Sequence, residues 1–253
     1  MSFVVMFKKE IREMISSYKI FIVPVIFVFF GILQPVTMYL LPEILKTTGA
    51  QGIVIEILPM TFFDSMSKYF STILQIGAIV IALSAMGAIS KERNSGTAAL
   101  ILSKPVSRAS FIFSKFMAYS LLTLLSFFLG TLSCWYYTDL LIGKAEYPDL
   151  LPGAICLLAL LLILLVAMVV LASIIFKSQI AAGVSALISF YMLGILPSLG
   201  NIWEKATPYA LMNRACGLMV GKVENIPIAI WPNLVLIAAL MLLAWQIFEH
   251  KEL

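Results

Sequence analysis

Six apolar runs of about 20 residues or more, at 20–41, 70–90, 111–137, 151–176, 180–199 and 228–248, alternate with shorter polar segments. A helix of roughly 18 or more apolar residues is long enough to cross the ~30 Å hydrocarbon core of a bilayer. Inside lipid every backbone polar group must find its partner within the protein, which favours helices. The pattern predicts an all-α membrane protein with six transmembrane helices, forming one transmembrane domain over 1–253. Ahead of the first run, Phe3, Val4, Phe7, Ile11, Met14 and Ile15 recur at helical spacing. Lys8, Lys9, Arg12 and Glu13 largely take the other faces. Residues 2–17 therefore read as an amphipathic helix lying at the membrane surface.

Composition agrees. Hydrophobic residues make up 62% of the chain and charged residues 12%, about half the ~25% charge of soluble domains. The net charge of +4 is read as a topology signal rather than a nucleic-acid surface. Eleven Lys and Arg residues fall on the side holding the termini, 91–115 and Lys177, against six on the other side. The positive-inside rule then puts both termini in the cytoplasm of a multi-pass bacterial cell-membrane protein. The N-terminal run is too long for a cleaved signal sequence, and no small-residue cleavage site follows it.

Little in the sequence points to chemistry. Cys134, Cys156 and Cys216 have no paired spacing, and the sole histidine, His250, is the fourth residue from the end of the sequence. We expect no ionisable side chain inside the hydrocarbon; Lys115, at the start of the third run, is counted with the cytoplasmic charges. That pattern argues against a proton-coupled carrier and against intramembrane proteases of the aspartyl, zinc or Ser–His kinds. No GxxxxGK[ST] motif is present: Gly143-Lys144 and Gly221-Lys222 lack its glycine spacing and its Ser or Thr. The chain is expected to be no enzyme, with no cofactor or metal of its own.

The polar segment 91–110 is the longest connection on the side of the termini. It reads Lys91-Glu92-Arg93-Asn94-Ser95-Gly96-Thr97, then a short apolar piece to Leu102, then Ser103-Lys104-Pro105-Val106-Ser107-Arg108. Gly96 can break the second span's helix, Thr97 can cap a short new one, and Pro105 ends it. This succession, with Lys115 beyond it, resembles E-[RK]-x-x-G-T…L-L-[ST]-x-P-[VI]-[ST]-R…K. That is the pattern of bacterial type 2 ABC-transporter permeases, and it is most similar to the branch accompanying nitrous-oxide-reductase maturation genes.

The resemblance implies that the segment is a coupling helix seated in a cleft of a separate cytosolic ABC ATPase, where ATP and Mg would bind. Carried over by position, Glu92, Arg93, Gly96, Thr97, Leu100, Pro105 and Arg108 would form or brace the contact, with Lys177 in the short 177–179 turn as a second one. It also implies a dimer with a second permease copy or a paralogue, surrounded by membrane lipids. The expected function is the permease subunit of an ATP-driven transporter, an exporter by preference. The alternatives are a six-span channel or facilitator working without an ATPase, and a membrane anchor or regulatory scaffold for a cytosolic protein. Residues 209–220, after Pro197 and Pro208, suit a short re-entrant helix on the other side.

Overall fold

A computed structural model describes residues 3–48, 60–97, 107–195, 207, 208, 210–222 and 226–250. Among these, secondary structure is helical throughout: α1 (Phe3–Ser16), α2 (Lys19–Thr48), α3 (Phe62–Thr72), α4 (Ala78–Ala85), α5 (Ser90–Asn94), α6 (Arg108–Leu141), α7 (Leu151–Ile175), α8 (Gln179–Ile195), α9 (Ala210–Met219) and α10 (Ile226–Glu249). Five stretches are long and apolar enough to cross a membrane: Lys19–Pro42, Phe62–Asn94, Arg108–Leu141, Pro148–Ile175 and Ile230–Glu249. The remaining expected crossing is the apolar α8, described over 17 residues.

The most apolar helix, α7, lies at the centre. Leu158, Leu161, Leu162, Leu164, Leu165 and Val166 are buried around its circumference, and α4, α6, α8, α9 and α10 all pack against it. A helix that is apolar all round and buried all round needs no polar face. By contrast, α2 packs mainly along α6 and leaves Phe21, Ile22, Val25 and Phe29 exposed, as lipid-facing side chains are. The α2–α6 crossing is tight. A Cβ added at Gly31 would collide with the Gly130 carbonyl, and one at Gly130 would collide with the Tyr69 hydroxyl and lie 2.7 Å from the Phe27 carbonyl oxygen. Small residues permit such close approach between membrane helices. Nearby, Gln34 donates to Thr72 at 3.0 Å, and Ser65 and Thr138 share a hydrogen bond of 2.8 Å.

Several helix ends differ from their sequence expectation. The first apolar run ends at 41, yet α2 continues through Pro42 to Thr48. Proline removes one backbone bond, but its φ is already helical. The second crossing starts at Phe62, ahead of the apolar run at 70–90. Thr61 caps α3, its side chain accepting from the Asp64 N–H while Asp64 accepts from the Thr61 N–H at 2.8 Å. One π-helical turn at Ile73–Gly77 joins α3 to α4, and the Gln75 carbonyl accepts from the Tyr191 hydroxyl of α8 at 2.8 Å. Carbonyls displaced by a π-turn are available to such outside donors.

The helix then breaks at 86–89, well before Gly96, where the break was expected. The cause is tertiary. Ser173 of α7 accepts from the backbone N–H groups of Ile89 and Ser90 at 2.9 and 3.0 Å, and so caps the restarted helix α5. Gly96 instead follows the end of α5 at φ +71°, a left-handed position that suits a residue without Cβ.

Candidate functional site

The elbow formed by 86–97 is tied to its surroundings mainly by polar side chains that reach helix ends. Arg93 extends across to the C-terminus of α7, where Nη1 donates to the Ile174 carbonyl and Nη2 to the Phe176 carbonyl, each at 3.0 Å. Asn94 donates to the Lys177 carbonyl at 2.9 Å. The last carbonyls of a helix have no partner within it and carry the negative end of its dipole, so a guanidinium is well matched there. Two other cations repeat the device. Arg108 Nη1 donates to the Phe248 and Glu249 carbonyls at the end of α10, at 2.9 and 2.7 Å, with its guanidinium over the Phe248 ring. Lys19 donates to the Ser84 carbonyl in the last turn of α4 at 2.7 Å. Three helix ends are thus gathered at the end of the bundle that holds α1 and the end of α10.

Beneath the elbow lies a buried cluster of charges. Lys115, one of the most completely buried side chains in the protein, sits about 10 Å along α6 from Arg108. Its ammonium is 3.0 Å from Glu10 Oε1 of α1 and 3.0 Å from Glu92 Oε1 of α5. Lys9 pairs with the same two carboxylates and with Glu13 at 3.1 Å. Glu10 and Glu92 are themselves buried. Desolvation of an ion is costly, and sharing ammoniums between carboxylates offsets that cost only when the geometry is good.

Burial alone would lower the Lys9 pKa, but Glu10 and Glu92 more than reverse it and hold its ammonium above the ordinary lysine range. Burial alone would raise that of Glu13, and Lys9 reverses that too, holding its carboxyl below the ordinary range. The carboxylates of Glu10, Glu13 and Glu92 approach one another within 4.8 Å, a spacing that would suit a cation. Lys9 pairs with all three, so an ammonium already serves as that cation.

The sequence-predicted site residues meet different fates. Glu92 is buried and paired within the chain. Arg93 and Arg108 brace helix ends. Gly96 and Thr97 are exposed on the elbow, Thr97 donating to the Glu92 carbonyl at 3.1 Å. Lys177 is exposed beside them, brought there by Asn94. Leu100 and Pro105, and the short helix expected through Leu102, lie outside the described residues.

The expectation that no ionisable group enters the interior is corrected by Lys115, which is no surface charge but the centre of a buried cluster. Other participants, among them Glu10, Lys115 and Ser173, were not recognised as site residues in the sequence. Glu10 carried a signal, since it stands between Met6 and Met14 on one stripe, and all three are buried. Lys115 carried one too, as the lone cation in a 27-residue run. Ser173 carried none.

A helical bundle with five membrane-length helices defines a multi-pass membrane protein, with a braced polar elbow at one end. Residues 4–212 match the model of a family described as ABC-2 family transporter protein. The chain is also 32% identical over 190 residues to the uncharacterized transmembrane protein YxlG of Bacillus subtilis (strain 168), an alignment covering 72% of this chain and 73% of that one. The chain belongs to the ABC-2 transporter family, as a transmembrane subunit of an ABC transporter.

Proposed function

We propose that this chain is the permease subunit of an ATP-driven exporter, and that a separate cytosolic ATPase, carrying ATP and Mg, docks on 91–108 with Lys177 at the rim of the contact. The observation that carries this reading is the bracing of the elbow. Arg93 and Asn94 join it to the end of α7 and the 176–178 turn, and Arg108 joins the start of α6 to the end of α10. A push on this surface would move three long helices together rather than bend one loop. In this reading Gly96, Thr97, Leu100, Pro105 and Lys177 face the ATPase, while Glu92, Arg93 and Arg108 hold the surface in shape.

Six crossings, cytoplasmic termini and pairing with a second permease complete the arrangement. Apart from the Lys115 cluster, the described membrane-length helices carry Asp, Glu, Lys and Arg only toward their ends. An uncharged interior suits an amphipathic or lipid-like cargo better than an ion.

Co-expression with an ABC ATPase encoded beside this gene tests the reading. The ATPase should copurify with the full chain, and deletion of 96–102 should abolish recovery while leaving the permease in the membrane. Undiminished recovery after that deletion would remove the docking assignment. A permease that conducts solute in liposomes without any ATPase would favour a channel.

A further inference from the structure

We infer that Lys115 and Glu10 are positioning residues, forming with Glu92 a buried charge lock through which α1 sets the position of the elbow. The functional part of this inference rests on the docking reading above; the structural part does not.

Three elements from distant parts of the sequence meet at one ammonium. Lys115 comes from α6, Glu10 from α1 and Glu92 from α5, and both carboxylates lie 3.0 Å from Lys115 Nζ. The apolar packing of α1 is directed mainly against α6 and α2. Its link to the elbow runs through charge: Lys9 pairs directly with Glu92, and Glu10 reaches Glu92 by way of Lys115. Ion pairs are directional where apolar contacts are not, so they fix where the elbow stands relative to α1.

The cluster is also short of positive charge, with two ammoniums, Lys9 and Lys115, facing three carboxylates, Glu10, Glu13 and Glu92. Glu92 Oε2 is buried and makes no hydrogen bond. Lys91 acts on Glu13, and Lys19 on Glu13 and Glu10, from beyond ion-pair distance; the Lys19 ammonium keeps its charge but is held at the Ser84 carbonyl, and Lys91 is exposed. Loss of a cation therefore leaves two carboxylates in excess, whereas loss of the Glu10 charge brings the cluster to balance. This asymmetry separates a charge lock from ordinary packing, in which truncating either partner costs similar amounts.

The test is amide hydrogen exchange of the full chain in lipid nanodiscs. With Lys115→Met, exchange at 89–97 should accelerate about tenfold or more, while 62–72 at the far end of the bundle stays at its wild-type rate. Glu10→Gln should accelerate 89–97 by about threefold at most, and both Lys115→Arg and the swap Glu10→Lys with Lys115→Glu should return it to within about threefold of wild type. In complexes with the ATPase, Lys115→Met should lower permease-dependent ATP hydrolysis per recovered complex about tenfold, with the swap restoring it.

Unchanged exchange at 89–97 in Lys115→Met overturns the lock. So does equal acceleration at 62–72, which marks general loss of structure, and so does an equal effect of Glu10→Gln. Altered exchange with wild-type hydrolysis overturns the positioning role. If no ATPase binds the wild-type chain, the docking reading fails, and the exchange series still decides the lock.

Discussion

The junction around Lys115 and the crossing of α2 with α6 at Gly31 and Gly130 hold helices together by opposite means. At the crossing there is almost no side chain, and backbone meets backbone. At the junction long charged side chains span the gaps between elements. Helices already in lipid gain little from burying apolar surface against one another, so steric fit and polar contacts must hold the bundle. Deep in the bundle, where a charge is expensive, glycine supplies the fit. Near the membrane boundary charges are less costly, and there they supply direction instead. The first region tolerates no added atom; the second tolerates no lost cation.

Four changes would break or sharpen that contrast. Lys115→Met should have the largest effect, about 3–5 kcal/mol, because it removes the fully buried one of the two ammoniums that Glu10 and Glu92 share. The loss should fall on the docking of α1, read as faster tryptic cleavage at Lys8 and Arg12 in the solubilised protein. Wild-type cleavage rates would show that the junction carries no such weight.

Gly130→Ala should cost about 2–3 kcal/mol by overpacking the crossing. It should lower the temperature at which the purified protein loses monodispersity, without changing cleavage in α1. If α1 is released as well, the two regions are one unit and the comparison fails.

Arg93→Ala should cost about 1.5–3 kcal/mol, the worth of charge-assisted hydrogen bonds to the end of α7. Faster amide exchange confined to 89–97 and 174–178 is the expected reading.

The smallest effect is that of mild acid. Glu13 is held below the ordinary carboxylate range by Lys9, so its contribution is complete above that range and is lost as pH falls below about 4. Lys9 is held above the ordinary lysine range, so its contribution persists until pH rises past that range. Docking of α1, followed by the same cleavage, should be flat across neutral pH and weaken at the acid end, with the crossing indifferent.

Much of the fold was legible along the chain. The apolar runs located the long helices because a span's length is set by the bilayer and its chemistry by the lipid. The cap that starts the helix near Thr61 is local, with Thr61 and Asp64 three residues apart. The break at 86–89 was not legible, because its cap, Ser173, lies more than 80 residues away. The candidate site was legible as a place, from Glu92, Gly96 and Arg108 in one polar segment, but not as an arrangement. Glu92 looked like a surface carboxylate because its neighbours in sequence, Lys91 and Arg93, are charged. It is buried, and its carboxylate pairs with Lys9 and Lys115 from two other helices.

The sequence by itself determined that this is a helical membrane protein, and where a polar segment follows its second long helix. Those properties follow from hydropathy and local backbone rules, which act over a few residues. Only the tertiary structure decided that Glu10, Glu92 and Lys115 form one cluster, and that Arg93 and Arg108 close the ends of α7 and α10. Such pairings depend on which helices are neighbours, and a charge buried by the fold looks, along the chain, the same as a charge left in water.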